Sequence, residues 1–149
     1  MKIVLIYPPV ADPTAPYIAL PLLTAVLRRS GIEAVPVDVN VEAFEWLFRR
    51  ETLLDAAGRI ERRRKNLEKK AFLRHPEPLF LAALRRGGEI ARGCPARVEA
   101  SLSLLREPGS ATFFEHDAYR KAVTALERAL EMVSAAYTPL HVDFVRYRT

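Results

Sequence analysis

Residues 3–40, with the sequence IVLIYPPVADPTAPYIALPLLTAVLRRSGIEAVPVDVN, carry the pattern that decides the fold. The first four of these residues form an apolar, mostly β-branched run, which predicts a strand buried on both faces of a parallel sheet. Pro8 and Pro9 end this strand, because proline has no N–H to donate to a neighbouring strand. The chain therefore opens with a predicted strand and a turn.

A helix is predicted next, over residues 18–27. Apolar residues at three- and four-residue spacings are expected to form its buried face: Leu20, Leu23 and Leu27, flanked by Ile18 and Val26. Gly31 is a good helix stop. Residues 32–40 then alternate as a second strand, in which Pro36 predicts an edge position.

A strand, a helix and a second strand within the first 40 residues form a βαβ unit, which implies parallel strands and a right-handed crossover. Ligands of open α/β sheets collect outside the carboxyl ends of the strands. On this chain we expect a ligand site at that edge, formed by Tyr7, Pro8, Pro9, Tyr17, Asp38 and Asn40.

The composition is that of a globular protein. The 149 residues are 50% hydrophobic, which suits one packed domain. No apolar run reaches the roughly 18–20 residues needed to cross a bilayer. The chain begins as a strand and not as a signal peptide, so we expect a cytoplasmic protein. The single cysteine, Cys94, excludes an intrachain disulfide and a cysteine-only metal or iron–sulfur site in this sequence.

Residues 41–137 change to helical spacing and predict a mainly helical extension. The first helix is expected to carry a broad apolar face: Val41, Phe44, Trp46, Leu47, Phe48, Leu53 and Leu54. A nucleotide stacked on Trp46 or Phe48 is the functional alternative, but aromatic side chains of this kind are more often packed in a core. We therefore expect both rings to be buried.

Basic residues are concentrated at positions 59–70, which hold seven of them against Glu61 and Glu68. Together with the formal net charge of +5, this run is compatible with an RNA-binding helix or with a solvated surface. The segment lacks the interleaved aromatic residues of a stacking platform. A solvated helix is the favoured interpretation, and nucleic acid is disfavoured as a partner.

Proline and glycine divide the following segment. His75-Pro76 predicts a helix boundary, and a short helix is expected to end at Gly87-Gly88. Residues 87–93 are interpreted as a connector, since they follow no strand and match no phosphate-binding pattern. Pro95 is expected to open another helix, over residues 96–105, which Pro108-Gly109 ends.

The last helix has the most regular spacing in the chain, with six apolar residues at steps of three and four: Tyr119, Val123, Leu126, Leu130, Val133 and Tyr137. This pattern predicts packing against other helices or against a partner chain. Residues 138–149 are expected to contain a terminal strand. His141 and Asp143 lie on one side of it, as an acid–base pair or, by our preferred interpretation, as surface neighbours.

The opening of the chain resembles cobalamin-binding radical S-adenosylmethionine enzymes. The similarity lies in an apolar strand closed by Pro8-Pro9, in Pro16 followed by a helix that begins with the sequence IALPLL at Ile18, and in the motifs LRRSG and VPVDVN. These enzymes include methyltransferases and proteins described as magnesium-protoporphyrin IX monomethyl ester cyclases. The resemblance implies a flavodoxin-like, cobalamin-binding N-terminal domain followed by a domain that binds a 4Fe-4S cluster and S-adenosylmethionine.

The chain departs from that family in several motifs. The CxxxCxxC cluster motif is absent, and the DxHxxG cobalt-ligand motif fits none of the histidines, His75, His116 or His141. Only two of the roughly five strands of a flavodoxin-like sheet are predicted. We therefore expect the N-terminal fragment of a larger enzyme, non-catalytic by itself, whose main partner is the downstream radical SAM domain of the same polypeptide.

The predicted fold class is α/β: a partial flavodoxin- or Rossmann-like βαβ unit over residues 1–40, a helical extension over 41–137 and a short strand over 138–149. Two other functions stay open, a basic helical module that binds nucleic acid and a structural domain that forms a homodimer through a free sheet edge. An independent hydrolase or transferase is not indicated, because the chain lacks a nucleophile elbow and His–Glu metal spacing.

Overall fold

A computed structural model describes residues 1–8, 18–107 and 109–148 of the protein. The described part contains six α-helices, a parallel pair of strands and a short antiparallel pair. Contacts divide the chain into two compact units, Met1–Trp46 and Leu47–Thr149. The protein is therefore mixed α/β and mostly helical, as the sequence predicts.

The N-terminal unit contains β1 (Lys2–Tyr7), α1 (Ala19–Arg29), β2 (Glu33–Asp38) and most of α2 (Val39–Leu47). The strands β1 and β2 are parallel, in a register that aligns Lys2 with Glu33 and Tyr7 with Asp38. This confirms the predicted strand–helix–strand order. Within the described residues the sheet has two strands, so β2 lies at an edge, as Pro36 indicates.

The prediction that β1 is buried on both faces is wrong. Ile3, Leu5 and Tyr7 are half-buried, whereas Val4 and Ile6 are 52% and 64% exposed. Successive side chains of a strand point to opposite faces. One face of the described sheet therefore packs on α1, and the other presents apolar side chains to solvent.

The buried face of α1 also differs from the prediction. Thr24 is the buried residue of this helix, while Ile18, Leu23 and Val26 are more than half exposed. The Thr24 hydroxyl donates to the Leu20 carbonyl at 2.7 Å, which satisfies the polar group on burial. Of the predicted face, Leu20 and Leu27 are half-buried, and the helix packs through the row that contains Leu20 and Thr24.

The second strand is shorter than predicted. It ends at Asp38, and Val39 and Asn40 already belong to α2. The Asp38 carboxylate explains the early helix start, because its Oδ1 accepts a hydrogen bond from the backbone N–H of Val41 at 3.0 Å. A side-chain acceptor of this kind stabilises a helix N-terminus, whose first N–H groups lack helical partners.

The C-terminal unit is built from α3 (Arg50–Glu68), α4 (Glu77–Ala91), α5 (Cys94–Arg106) and α6 (His116–Ala136), with a 3₁₀ turn at Ala111–Phe114. The long helix α6 packs against α3, α4 and α5. The core consists of apolar residues from all four helices: Leu53, Ala56, Ile60, Leu81, Leu84, Val98, Leu126, Ala129, Leu130, Met132 and Val133.

Several helix predictions are confirmed here. The His75-Pro76 pair directly precedes α4, and Pro95 lies in the first turn of α5. Of the six regularly spaced residues, Leu126, Leu130 and Val133 are buried, as predicted, and Val123 and Tyr137 are half-buried. Tyr119, in the first turn of α6, is exposed. None of the helices in the described ranges is long and apolar enough to cross a membrane.

The predicted helix stop at Gly87-Gly88 and the connector over residues 87–93 are wrong. The helix α4 continues through both glycines to Ala91, and Gly87 is buried. A Cβ at Gly87 would lie 2.9 Å from Ile60 Cδ1 and 3.0 Å from Ala135 Cβ. Gly87 therefore serves close packing of α4 on α3 and α6. Gly93, with a φ of +69°, is the glycine that separates α4 from α5.

Two further predictions need correction. Trp46 is 53% exposed and not part of a core, whereas Phe48 is buried, with its ring 6.3 Å from that of Phe144. The predicted C-terminal strand is a hairpin, in which β3 (His141–Val142) pairs with β4 (Tyr147–Arg148) in antiparallel fashion.

A polar turn explains the hairpin. Asp143 Oδ1 accepts hydrogen bonds from the backbone N–H groups of Val145 at 2.8 Å and Arg146 at 2.6 Å. Side chains of Asp commonly stabilise turns in this way. The hairpin is joined to α6 by Ser134, whose hydroxyl accepts from the Val142 N–H and donates to the Val142 carbonyl.

Candidate ligand site at the carboxyl edge of the sheet

The carboxyl edge of the two-stranded sheet brings Tyr7 and Asp38 together. The two residues are register partners, and both are half-buried. Pro8 follows directly and is exposed. Of the other predicted site residues, Pro9 and Tyr17 lie outside the described residues. The edge therefore presents a phenol and a carboxylate side by side.

Asn40 occupies a different environment from the one predicted. It lies in the first turn of α2 and is 2% exposed. Asn40 is therefore part of the helix that follows β2, and it does not lie at the end of the strand. A ligand at the sheet edge reaches Tyr7 and Asp38 more directly than Asn40.

Asp38 also lines a groove of about 500 Å³ between α1 and β2. The other lining residues come from one face of α1 and from β2: Leu20, Pro21, Thr24, Ala25, Arg28 and Pro36. The walls are mostly apolar, with three polar groups. Apolar walls with a few polar groups are typical of small-molecule sites.

Each polar group of the groove is held by the fold. Arg28 donates to the Ala34 carbonyl through Nε at 3.2 Å and Nη2 at 3.0 Å. A guanidinium has five N–H donors, so this contact leaves donors for a ligand. Asp38 uses Oδ1 for the Val41 N–H. The groove thus combines a positioned cation and a positioned anion.

Sequence reasoning missed Thr24 and Arg28 as lining residues. The signal was available, because Leu20, Thr24 and Arg28 are four residues apart and share one helix face. The row Leu20, Leu23 and Leu27 is more hydrophobic and therefore predicts a buried face that shares Leu20 with the packed one. The packed face contains fewer leucines and one hydroxyl group.

The basic run at residues 59–70 is largely engaged in internal contacts. Arg63 donates to the Ala136 and Thr138 carbonyls, and Arg59 lies over the Tyr137 ring at 4.4 Å. Further ion pairs link this run to acidic residues: Arg64 with Glu61 and Glu68, Lys65 with Glu61, and Lys70 with Glu77. Five of the seven basic residues therefore have an internal partner, while Arg62 and Lys69 are exposed.

His141 and Asp143 are in contact, with 3.3 Å between His141 Nε2 and Asp143 Oδ2. The backbone N–H groups of Val145 and Arg146, together with His141, lower the pKa of the Asp143 carboxyl. Both side chains are exposed, and the carboxylate holds the hairpin turn. This geometry fits the preferred interpretation as surface neighbours with a structural role.

Metal-binding geometry is not found in the described part of the chain, where no group of three or more His, Cys, Asp or Glu side chains is arranged to hold an ion. All three histidines lie in the C-terminal unit. Burial raises the pKa of the Cys94 thiol, which favours the protonated, unreactive form.

No protein-family model matches the chain, and neither a curated protein nor a solved structure is significantly similar to it.

Proposed function

We propose that the chain is the N-terminal, cobalamin-associated segment of a larger B12-dependent radical SAM enzyme. In this proposal the N-terminal unit begins a flavodoxin-like domain, and the chain alone is not a catalyst. The methyltransferase or cyclase chemistry, with its 4Fe-4S cluster and S-adenosylmethionine, belongs to a downstream domain of the same polypeptide.

The observation that supports the proposal is the open apolar surface of the βαβ unit. Val4 and Ile6 of β1 and Leu22, Leu23 and Val26 of α1 are each more than half exposed. Parallel sheets normally have both faces covered by helices. Further strands and helices of a flavodoxin-like domain would cover these side chains, which accounts for so much apolar surface on a small unit.

The residues at the sheet edge are suited to hydrogen bonds with the side chains of a corrin ring, and not to coordination of its metal. Cobalamin carries amide side chains, for which the donors of Arg28 and the carboxylate of Asp38 are suitable hydrogen-bond partners. Tyr7, Pro8, Pro9, Tyr17 and Asn40 complete the set that is predicted for the carboxyl edge of the sheet. The N-terminal unit has no histidine, so it supplies no imidazole to cobalt.

The first experiment reads the source gene beyond the codon for Thr149. If the reading frame continues through further strands into a CxxxCxxC segment, the proposal gains its missing catalytic part. A stop codon at that point, or a downstream domain without the cysteine motif, would contradict it.

The second experiment measures cobalamin binding to the longest polypeptide of that reading frame. Hydroxocobalamin is titrated by equilibrium dialysis, with the cobalamin absorption spectrum as readout. We expect Asp38→Ala to weaken binding by about tenfold, the value of one charge-assisted hydrogen bond. Glu33→Ala, at the opposite end of the same strand, is the matched control and should bind normally. Absence of binding by the unsubstituted protein would overturn the proposal.

A homodimer is the second candidate function, and the same exposed surface supports it. Unpaired strand edges and open apolar faces recruit other chains unless they are covered. Sedimentation velocity distinguishes the two candidates. A concentration-dependent dimer that Ile6→Lys abolishes would favour self-association. A monomer at all concentrations would instead favour the proposal that further domains of the same polypeptide cover this surface.

A further inference from the structure

A second groove lies between α5 and α6, in the C-terminal unit, and has a volume of about 480 Å³. It is lined by four cationic side chains and two small residues: Arg97, Arg120, Lys121, Arg128, Thr124 and Ala125. No acidic residue is among these lining residues. Three of the cations lie on α6, and the packing of α5 on α6 brings Arg97 next to them.

Three of these positive charges are left without an acidic partner within the described ranges. Arg120 pairs with Asp117 at 3.3 Å. Arg97 donates instead to two backbone carbonyls, of Ile90 at 2.8 Å and Arg92 at 2.7 Å, so its guanidinium is held in place while its charge stays unneutralised. Neither Lys121 nor Arg128 forms an ion pair with another residue of the described ranges. The groove therefore carries an excess of positive charge, and the fold holds the Arg97 guanidinium in place.

The groove continues into an apolar trough of about 360 Å³ on the same pair of helices. Arg97, Lys121 and Ala125 line both cavities, and the remaining walls of the trough are small or aliphatic: Ala100, Ser101, Leu104, Ala118 and Ala122. The Ser101 hydroxyl donates to the Arg97 carbonyl at 2.7 Å and is thus satisfied internally. The trough offers contact to an apolar group next to the cations.

We propose that this α5–α6 groove binds a phosphate monoester that carries an apolar group. A phosphate monoester has a charge near −2 at neutral pH, which suits a site of several cations better than a single carboxylate does. Arginine recognises phosphate oxygens through two parallel N–H bonds. The apolar group of the ligand then lies against Leu104 and the alanines of the trough. The proposal is independent of the cobalamin proposal, because it concerns the C-terminal unit alone.

Nucleic acid is a poorer occupant of the same groove. The residues that line the two cavities include no aromatic side chain on which a base could stack. A sugar–phosphate backbone would use the cations but not the trough. The two adjoining cavities together favour one small amphiphilic ligand.

The test uses n-octyl phosphate as the probe, with inorganic phosphate and 1-octanol as its two halves. Each is titrated into the full chain labelled with ¹⁵N, and amide shifts are followed. We expect octyl phosphate to shift α5 and α6 signals and to bind at least about tenfold more tightly than either half, with an affinity that falls as salt rises. Equal and weak binding of all three compounds would overturn the proposal.

Paired substitutions locate the site. Lys121→Gln with Arg128→Gln should weaken octyl phosphate binding by at least about tenfold, since charge-assisted hydrogen bonds are lost. Arg62→Gln with Lys69→Gln, two exposed changes in and after α3, is the charge-matched control. Equal loss in both double variants would mean general charge attraction and would contradict the site. Unfolding midpoints of the variants verify that each one is folded.

The trough is tested separately by Ala100→Gln, an exposed helical position that tolerates a polar side chain. This change should reduce the advantage of octyl phosphate over inorganic phosphate and leave inorganic phosphate binding unchanged. An unchanged advantage would contradict the role of the trough.

The source of the ligand is distinguished by vesicles that contain phosphatidic acid, a phosphate monoester on a lipid. Co-sedimentation that the Lys121 and Arg128 substitutions abolish would assign the groove to a lipid headgroup. Octyl phosphate binding without vesicle binding would assign it to a soluble ester. Failure of both probes would overturn the proposal and leave the cobalamin proposal untouched.

Discussion

Gly87 is the position at which a missing side chain matters most. Its Cβ would lie 2.9 Å from Ile60 Cδ1 and 3.0 Å from Ala135 Cβ, and the latter atom cannot rotate away. We expect Gly87→Ala to lower the free energy of unfolding by about 1–3 kcal/mol, because overpacking exceeds the gain of about 1 kcal/mol in helix propensity. Urea unfolding followed by circular dichroism measures the change.

Gly88→Ala is the matched control for that substitution. The nearest atom to its Cβ would be Ile60 Cγ2, at 3.9 Å, which is an ordinary van der Waals distance. The helix propensity of alanine should therefore dominate and raise the free energy of unfolding by up to about 1 kcal/mol. Equal effects of the two substitutions would show that α4 does not approach its neighbours so closely.

Asp143 makes the C-terminal hairpin sensitive to acid. Hydrogen bonds from the Val145 and Arg146 N–H groups, and one from His141, hold the pKa of its carboxyl below the ordinary value of about 3.9. The folded hairpin therefore favours the carboxylate. Its contribution to stability is present above pH 4 and is lost as the pH falls through the lowered pKa.

An NMR titration checks this prediction through the amide shifts of Val145 and Arg146. We expect one acid transition with a midpoint below that of a free aspartate side chain. Asp143→Asn keeps the size of the side chain and should remove the transition. A midpoint at or above the ordinary value would show that the two backbone bonds do not form in solution.

At the scale of elements, Arg63 connects the middle of α3 to the end of α6. Its guanidinium donates to the Ala136 carbonyl at 2.9 Å and to the Thr138 carbonyl at 3.3 Å. The last carbonyls of a helix lack helical partners, so this contact caps α6. Arg63→Met keeps much of the packing but leaves these carbonyls unpaired.

We expect Arg63→Met to lower the free energy of unfolding by about 1–3 kcal/mol, as for the loss of a partner to a part-buried acceptor. Arg62→Met, on the exposed side of the same helix, should change it by no more than about 0.5 kcal/mol. Thermal or urea unfolding of the two variants makes the comparison. Similar values for both would mean that Arg63 acts only as a surface charge.

The elements differ in how well sequence predicts them. Repeated spacing of Leu126, Leu130 and Val133 is enough to predict α6, because many residues give the same signal. The end of α4 is predicted too early from sequence. A glycine pair resembles a helix stop unless the neighbouring helices are known. The hairpin after α6 also misleads, because its turn depends on one carboxylate and not on glycine.

The candidate site is predictable only in part. Parallel pairing alone brings Tyr7 next to Asp38, so the rule about carboxyl edges is sufficient for them. The contribution of Arg28 depends on which face of α1 packs on the sheet. The spacing of the leucines predicts a different face from the one that packs. The proposal of cobalamin as the ligand rests on the resemblance and not on spacing.

At the scale of the whole molecule, the two units differ greatly in the size of their cores. In the N-terminal unit the described residues that are buried are few: Thr24, Ala34, Asn40 and Phe44. The C-terminal unit buries large apolar side chains from four helices. We therefore expect residues 47–149 alone to fold, with a helical circular dichroism spectrum and a cooperative urea transition.

Residues 1–46 alone should remain unfolded, because so short a chain with so few buried residues cannot offset its conformational entropy. A weak circular dichroism signal without a cooperative transition is the expected result. Cooperative unfolding of the isolated N-terminal unit would contradict the inferred difference between the cores.

The burial of α6 determines how slowly its backbone amides exchange hydrogen with water. In its C-terminal half, all residues between Ala129 and Ala136 except Glu131 are buried, so this stretch has almost no solvent side. Its backbone amides can meet water only when the surrounding helices separate. Deuterium should therefore enter this stretch last, at a rate set by global opening of the unit. The exchange rate of one peptide from the end of α6 would then report the global stability of the C-terminal unit.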